Sequence, residues 1–218
     1  MISLADRLFA QIEAANREWH IVFVGDYIDR GEESSEVLSV LQLLVRSQPE
    51  RIICLKGNHE QMMLNFLNNP VEHGAKWLNF GGLQTLASFG LRGNITAEAS
   101  GEQMLAVAQD LRRLLPAGLV DWMGSLPLVF QSGNVCVVHA GANPALPIAE
   151  QTEATLLWGH PNFTKIPRGD SIWIVHGHTI VRQATVKSGR IAIDTGAVFS
   201  GQLTAAVIYT DGVIDFVS

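Results

Sequence analysis

The sequence predicts an α/β fold with two mixed β-sheets packed as a sandwich and helices outside. Two short strand patterns, Ile21–Val24 and Arg51–Leu55, flank an amphipathic helical stretch, and this order is typical of a β-α-β unit. Strand patterns dominate the last third of the chain, which indicates a second, largely antiparallel sheet packed on the first. The 218 residues are 47% hydrophobic and 17% charged, which predicts one domain, residues 1–218, with a large core.

Helical patterns fill the first half of the chain around those strands. Leu4 to Ala15 and about Glu36 to Ser47 each place apolar residues on one face. From about residue 61 to 126 the pattern is helical with breaks, among them Gly81-Gly82. We interpret this block as a helical cap whose rim shapes substrate choice, since caps and loops tune function more than scaffolds do.

The last third of the chain is predicted as strands and turns. Leu128–Gln131 and Val135–Val138 are separated by a Ser-Gly-Asn turn, which predicts a hairpin. A short helix at Thr152–Trp158 interrupts the strands. Asp211-Gly212 is a strong turn signal in the tail. The other predicted strands are Ile172–Val175, Ala184–Lys187, Ile191–Asp194, Leu203–Tyr209 and Val213–Val217.

Composition excludes several classes of protein. The net charge of −6 argues against a nucleic-acid partner, and the lack of an 18-residue apolar run argues against a membrane partner. Met1 precedes an amphipathic helix rather than a signal peptide. Cys54 and Cys136 lie in predicted buried strands, where core thiols are expected in preference to a disulfide. These features predict a cytoplasmic protein, and they imply no particular oligomeric state.

Four predicted strands end on a glycine next to a side chain that can bind a metal. Ligands of open α/β sheets bind at the carboxyl ends of strands. There a carboxylate suits a metal and an arginine fork suits phosphate oxygens. For the first stretch alone, a turn with solvated charges explains the residues equally well, but four such ends favour a metal and phosphate site. The stretches are Gly25–Gly31, Lys56–Glu60, His139–Gly141 and His176–Thr179.

These stretches resemble the calcineurin-like metallophosphoesterases. Within that family they are most similar to the phosphoprotein phosphatase branch, which includes bacterial Ser/Thr protein phosphatases and symmetric diadenosine tetraphosphatases. The signatures occur in the family's order and are highly specific together. They are GDYIDRG (Gly25–Gly31), GNHE (Gly57–Glu60), VHAG (Val138–Gly141) and GHT (Gly177–Thr179). The resemblance implies the family's two-sheet αββα sandwich.

The resemblance also implies a site for two divalent metals, Mn²⁺, Fe or Zn²⁺. Asp26 would bridge the two metals, and Asn58, His139 and His178 would complete the ligands of the second one. Oxygen and nitrogen donors without a thiolate suit these ions.

The implied reaction is hydrolysis of phosphate monoesters by metal-activated water. His59 would protonate the leaving oxygen as the general acid, and Asp29 would orient the His59 ring. Arg30 would hold a phosphoryl oxygen. For Asp29 and Arg30, a local salt bridge is the alternative interpretation.

The sequence departs from the family pattern in two places. The family opens with a GDxHG signature that supplies an aspartate and a histidine to the first metal, and no Asp-x-His precedes Asp26. Only the second metal site is therefore complete, and the chain is expected to be a member that starts one strand late. Relatives also carry an arginine in a Leu-Trp-x-Arg stretch, where this chain has His160. His160 or Arg168 is a candidate replacement at the phosphate, with a solvated loop residue as the alternative for both.

The leading functional hypothesis is a phosphatase similar to the Ser/Thr protein phosphatases, with a phosphorylated protein or a small phosphoester as substrate. A diadenosine tetraphosphate hydrolase is the alternative within enzymes, because the two differ in the pocket and not in the metal motifs. A catalytically weak metal-binding domain is a third hypothesis, motivated by the absent first-metal signature.

Overall fold

The chain divides into two compact units in the structure, a computed structural model that describes residues 2–15, 18–93 and 95–218. Residues 1–24 and 128–218 form one unit, called the sheet unit below. Residues 25–127 form the other, called the helical unit. The predicted single domain and its cap stay predictions.

The helical unit consists mainly of helices around one core. Its elements are α2 (Ser34–Ser47), β2 (Ile52–Cys54), α3 (Asn58–Asn68), α4 (Pro70–Trp77), a π turn (Leu78–Gly82), α5 (Leu83–Ser88), α6 (Gly101–Leu114) and α7 (Leu119–Ser125).

Local sequence explains where these helices begin. Ser100 accepts the backbone N–H of Gln103, whose side chain accepts the Ser100 N–H, so a capping box starts α6. Asn69 caps α4, and Pro70 occupies the first helical position, where a missing N–H costs nothing. The apolar faces then meet in a core in which the rings of Phe66 and Trp77 lie 4.7 Å apart between centroids.

The sheet unit contains a five-stranded sheet and a separate hairpin. Its helices are α1 (Ile2–Ala15), α8 (Glu153–Trp158) and α9 (Ala197–Ser200), with a 3₁₀ turn at Ile148–Glu150. Its strands are β1 (Ile21–Phe23), β3 (Val129–Ser132), β4 (Val135–Val138), β5 (Trp173–His176), β6 (Thr185–Lys187), β7 (Arg190–Ala192), β8 (Ala205–Ile208) and β9 (Ile214–Val217).

The five-stranded sheet is mixed, as the fold class predicted, but its parallel centre shows that the finer expectation of a largely antiparallel sheet was wrong. Its order is β3-β4-β5-β7-β6, with β4 parallel to β5 and β5 parallel to β7. The outer pairs β3-β4 and β6-β7 are antiparallel hairpins, as are β8-β9. β4 and β5 are parallel because the chain between them crosses over through α8, and β5 and β7 are parallel because the chain between them passes through β6. Strand patterns alone do not show these crossovers.

Helices together with a multi-stranded mixed sheet confirm the predicted α/β fold class. Element types agree with the sequence patterns, and most boundaries differ by one or two residues. The sandwich arrangement stays a prediction. In the described part of the chain, no helix is long and apolar enough to cross a membrane.

The two cysteines are buried core thiols, as the sequence predicted. Both are free. Burial raises the pKa of Cys54 to about 12 and that of Cys136 to about 11, so neither forms a reactive thiolate near neutral pH.

Two leucines of α2 provide a matched test of the helical core. Leu38 is fully buried, whereas Leu43 is 68% exposed. Leu38→Ala should lower the free energy of unfolding by about 2–5 kcal/mol, because it leaves a cavity in addition to losing buried surface. Leu43→Ala, the control, should change it by less than about 0.5 kcal/mol. Urea unfolding measures both values, and equal losses would contradict the core described here.

Candidate active site

The Gly25–Gly31 loop of the helical unit has a strained backbone. Besides Gly25, with φ of 95°, the residues Asp26, Asp29 and Arg30 have φ values of 59°, 72° and 62°. Side chains other than glycine rarely adopt this left-handed region, which costs on the order of 1–3 kcal/mol per residue. The surrounding contacts must therefore hold this loop in place.

Glu60 is the residue that fastens this loop. Its fully buried carboxylate accepts three backbone N–H groups, those of Asp26 at 2.9 Å, Tyr27 at 2.7 Å and Gly57 at 2.8 Å. Glu60 occupies the third position of α3, where a carboxylate can reach back to the N–H that precedes the helix. One side chain thus joins the loop after β1 to the loop after β2.

Gly57 lets these two loops approach each other closely. A Cβ atom on Gly57 would lie 2.3 Å from Oδ1 of Asp26 and 2.4 Å from its backbone nitrogen. Tyr27 adds a second fastening, because its hydroxyl donates to the Leu55 carbonyl at 2.7 Å and accepts the Gly25 N–H at 3.1 Å.

Asp26 and Asn58 lie at this junction in the helical unit. Asn58 is 1% exposed and begins α3, while Asp26 is exposed. Oδ1 of Asp26 accepts the backbone N–H of His59 at 3.3 Å, so its carboxylate is turned toward the start of α3.

Asp29 and His59 form a buried pair. The Nδ1–H of His59 donates to Oδ2 of Asp29 at 2.6 Å, and the Asp29 side chain is 0% exposed. Burial by itself lowers the pKa of His59. The hydrogen bond to Asp29 and the charges of Asp26, Asp29 and Glu60 outweigh burial, so the pKa lies above its ordinary value. His59 is thereby suited to carry a proton near neutral pH.

Arg30 is exposed next to this pair, and its backbone is held by the π turn. Its N–H donates to the Gly81 carbonyl at 3.2 Å. Gly81 has a φ of 111°, and a Cβ atom there would lie 2.7 Å from Cγ and from the backbone nitrogen of Arg30. Glycine at position 81 therefore allows both the close approach of the Arg30 backbone and the left-handed turn.

His139 and His178 face each other in the sheet unit. Nε2 of His139 lies 3.2 Å from Nδ1 of His178. Nδ1–H of His139 donates to the Val24 carbonyl at 2.7 Å, so Nε2, which faces His178, is the ring nitrogen that could bind a cation. Two ligand nitrogens about 2.1 Å from one ion lie about 3.0–3.4 Å apart at angles of roughly 90–110°, so this pair fits a shared metal.

The strands of the mixed sheet position these two histidines. β4 ends immediately before His139, and β5 ends two residues before His178. The Gly177 N–H donates to the His139 carbonyl at 2.8 Å, which continues the β4-β5 pairing past the strand ends. The rings of Trp158 in α8 and His178 are nearly perpendicular, with 6.1 Å between centroids.

The sequence profile of the calcineurin-like phosphoesterases matches residues 3–182. The chain belongs to this family. Members of the calcineurin-like phosphoesterase family are hydrolases that use divalent metals, which agrees with the donor types found in both units.

Several bacterial relatives share one activity in their names. The chain is 27% identical to the asymmetrical bis(5'-nucleosyl)-tetraphosphatase PrpE of Bacillus velezensis, over 94% of this chain and 82% of that protein. It is 28% identical to the PrpE of Bacillus subtilis with the same name, over 84% of this chain and 73% of that protein.

Solved structures of the family share the fold. A crystal structure provisionally assigned as a diadenosine tetraphosphatase aligns with a TM-score of 0.61 and 21% identity, over 96% of this chain and 86% of its own. A protein serine/threonine phosphatase from Saccharomyces cerevisiae, with similarity to human PP5, aligns with a TM-score of 0.54 and 16% identity, over 98% of this chain and 76% of its own.

His160 and Arg168, the two candidate phosphate ligands, have other contacts in the sheet unit. Nδ1 of His160 accepts the Asn162 N–H at 3.2 Å. The guanidinium of Arg168 donates to the carbonyls of Asn143 and Leu146 and is paired with Asp170. Arg168 thus has a structural role in this loop, and a phosphate contact by either residue stays a prediction.

Three residues with close contacts here were not singled out by sequence reasoning. Glu60 lies within the GNHE signature, and its spacing of three from Gly57 was the available signal. Trp77 and Thr85 both contact Asp29, but they lie 48 and 56 residues beyond it in the chain. Only the fold brings them to this site.

Glu60→Gln tests the fastening of the two loops. The amide retains one accepting oxygen, so at least one buried backbone N–H loses its acceptor. The free energy of unfolding should fall by about 1–3 kcal/mol. Glu102→Gln on the exposed side of α6 is the control and should change it by less than about 0.5 kcal/mol. Urea unfolding measures both, and an unchanged midpoint for Glu60→Gln would exclude the fastening.

Gly57→Ala tests the close approach of the same loops. The added Cβ meets backbone, which cannot rotate away, so overpacking should cost about 1–3 kcal/mol of stability. Gly124→Ala in α7 has nothing within 4 Å of its added Cβ and should be neutral or slightly stabilising. Thermal unfolding of the two variants compares them, and similar melting temperatures would contradict the contact.

Proposed function

We propose that this calcineurin-like phosphoesterase hydrolyses dinucleoside tetraphosphates, such as diadenosine tetraphosphate, at an outer phosphoanhydride. The observation that carries the proposal is the similarity, over 84–94% of the chain, to relatives named as asymmetrical bis(5'-nucleosyl)-tetraphosphatases. The loop and helix start that carry Asp26, Asp29, Arg30, Asn58 and His59 support a hydrolytic role.

The proposed protein ligands of a divalent metal are Asp26 and Asn58 from the helical unit and His139 and His178 from the sheet unit. Asn58 is buried at a helix start, and the two imidazoles already have the spacing of shared ligands. Mn²⁺, Fe and Zn²⁺ suit this mixed donor set. When bound, such ions would supply positive charge at the phosphate and lower the pKa of an attacking water.

The chain's own residues would bind the phosphate and move the proton. Arg30 is exposed and its backbone is held by Gly81, and its guanidinium would bind phosphate oxygens through a two-pronged hydrogen bond in the proposed complex. Nδ1 of His59 is fixed by Asp29, which leaves Nε2 to donate a proton to the leaving oxygen. Cleavage at an outer anhydride then expels a nucleoside polyphosphate as the leaving group.

A phosphoprotein substrate has weaker support than a dinucleotide. The similarity to the yeast Ser/Thr phosphatase is 16% and supports the fold alone. Dephosphorylation of proteins, like the cytoplasmic location, stays a prediction.

The experiment is product analysis of diadenosine tetraphosphate hydrolysis in the presence of Mn²⁺. We expect equal amounts of ATP and AMP, because attack occurs at an outer anhydride. Two molecules of ADP would indicate central cleavage and would overturn the assignment of the bond. Phosphate release from a phosphopeptide but not from the dinucleotide would favour a protein phosphatase. Metal binding without turnover of either substrate would favour the weak metal-binding domain.

Asp26→Asn tests the proposed ligand role in the same assay. Losing a charged metal ligand removes several kcal/mol of stabilisation, so turnover should fall roughly 1,000-fold. Mn²⁺ affinity, measured by calorimetry, should fall with it. Asp121→Asn, at an exposed position of α7, is the control and should retain both properties. Full turnover by a folded Asp26→Asn protein would overturn the ligand assignment.

A further inference from the structure

Three side chains donate hydrogen bonds to the carboxylate of Asp29. Besides His59 on Oδ2, the hydroxyl of Thr85 donates to Oδ1 at 2.6 Å. The indole N–H of Trp77 lies 3.1 Å from both oxygens. Thr85 and Trp77 are fully buried. Two donors from the α4-α5 segment thus contact the residue that orients His59.

We propose that Trp77 and Thr85 are positioning residues that fix the Asp29 carboxylate, and through it the His59 ring, for proton transfer to the leaving group. The inference rests on the proposed hydrolytic function and adds the residues that set the geometry of its proton donor.

Thr85 holds Asp29 at two points. Its Oγ1 accepts the Asp29 backbone N–H at 2.9 Å and donates its single proton to the carboxylate of the same residue. These contacts close a small ring that fixes both the left-handed backbone, with φ of 72°, and the rotation of the side chain. Without the hydroxyl, a buried N–H and a buried carboxylate oxygen would each lose a partner, which is costly in a dry site.

Trp77 fixes the carboxylate from a second direction. Its N–H is equidistant from the two oxygens, so it resists rotation of the carboxylate either way. The indole itself is held by Phe66 on one side and by Gly82, whose added Cβ would lie 2.7 Å from the indole ring. Because the packing of the helical core holds the indole in place, the indole N–H in turn holds the Asp29 carboxylate in one orientation.

The segment between Trp77 and Thr85 is irregular. The two residues are eight apart and lie in different helices, α4 and α5. The backbone of Leu78–Gly82 between them breaks at Gly81, whose φ is 111°. Trp77 before the π turn and Thr85 after it both contact Asp29. The same turn holds the backbone of Arg30, so one irregular segment supports the proton donor and the proposed phosphate ligand.

The test uses two aryl phosphates that differ in how much they need a proton donor. Phenyl phosphate has a poor leaving group and needs protonation, whereas p-nitrophenyl phosphate has a good one and needs it little. Thr85→Val should lower kcat with phenyl phosphate roughly 10–100-fold and kcat with p-nitrophenyl phosphate less than about threefold. Thr85→Ser, which keeps the hydroxyl, should restore turnover of phenyl phosphate. Trp77→Phe should show the same selective loss as Thr85→Val.

A double-mutant cycle shows whether Thr85 acts through Asp29. In an Asp29→Asn background, Thr85→Val should lower kcat with phenyl phosphate by less than about twofold, because the carboxylate it positions is already gone. Thr96→Val and Trp122→Phe, which change the same residue types elsewhere in the helical unit, are the controls and should resemble the wild type with both substrates.

Proton NMR tests the geometry without any turnover. The 2.6 Å hydrogen bond between His59 and Asp29 should give an imidazole N–H resonance downfield of the amides, identified by its loss in His59→Gln. Thr85→Val should shift or broaden this resonance, and Thr85→Ser should leave it in place.

Two sets of outcomes separate the inference from the function on which it rests. Equal losses with both aryl phosphates, or an unchanged resonance in folded Thr85→Val, would overturn the positioning role even if the wild type is active. An inactive wild type with the expected changes in the resonance would overturn the proposed hydrolysis and leave the positioning role supported.

Discussion

The geometry of the helical unit depends on one buried carboxylate, that of Glu60. Three backbone N–H groups from two loops converge on it, and the Glu60 side chain is fully buried. Charge-assisted hydrogen bonds of this kind are about twice as strong as neutral ones. Their sum offsets the strain of the left-handed residues in the loop, so the site is stabilised by the same contact that shapes it.

The strained residues and the residues that hold them lie in different parts of the chain. The strained residues Asp26, Asp29 and Arg30 lie in one seven-residue loop, whereas their partners come from α3 and from the segment around the π turn. An irregular loop alone would relax. Rigid helices hold the strained loop in place and thereby fix the positions of its side chains. This suits a site that must keep its geometry during a reaction.

The sheet unit positions its histidines by a different physical means. Parallel pairing of β4 and β5 sets the two strand ends at the same level, and the hydrogen bond from Gly177 to His139 extends that alignment. The Val24 carbonyl then selects which nitrogen of His139 carries the proton. Backbone groups orient a histidine here, as side-chain carboxylates do in the helical unit, so the orientation of the His139 ring depends little on neighbouring side chains.

Sequence alone determined the α/β class, the order of the elements and the family, because short apolar strands, amphipathic helices and four strand-end signatures are local patterns. It also named Asp26, Asn58, His139 and His178 as candidate ligands by resemblance. Only the tertiary structure decided the parallel centre of the sheet, because crossover connections produce no periodic pattern in the sequence. It also decided the partners of Asp29, because they lie 48 and 56 positions away in the chain. It also decided the contacts of Arg168, whose charge the sequence shows but whose carbonyl partners only a folded loop can supply.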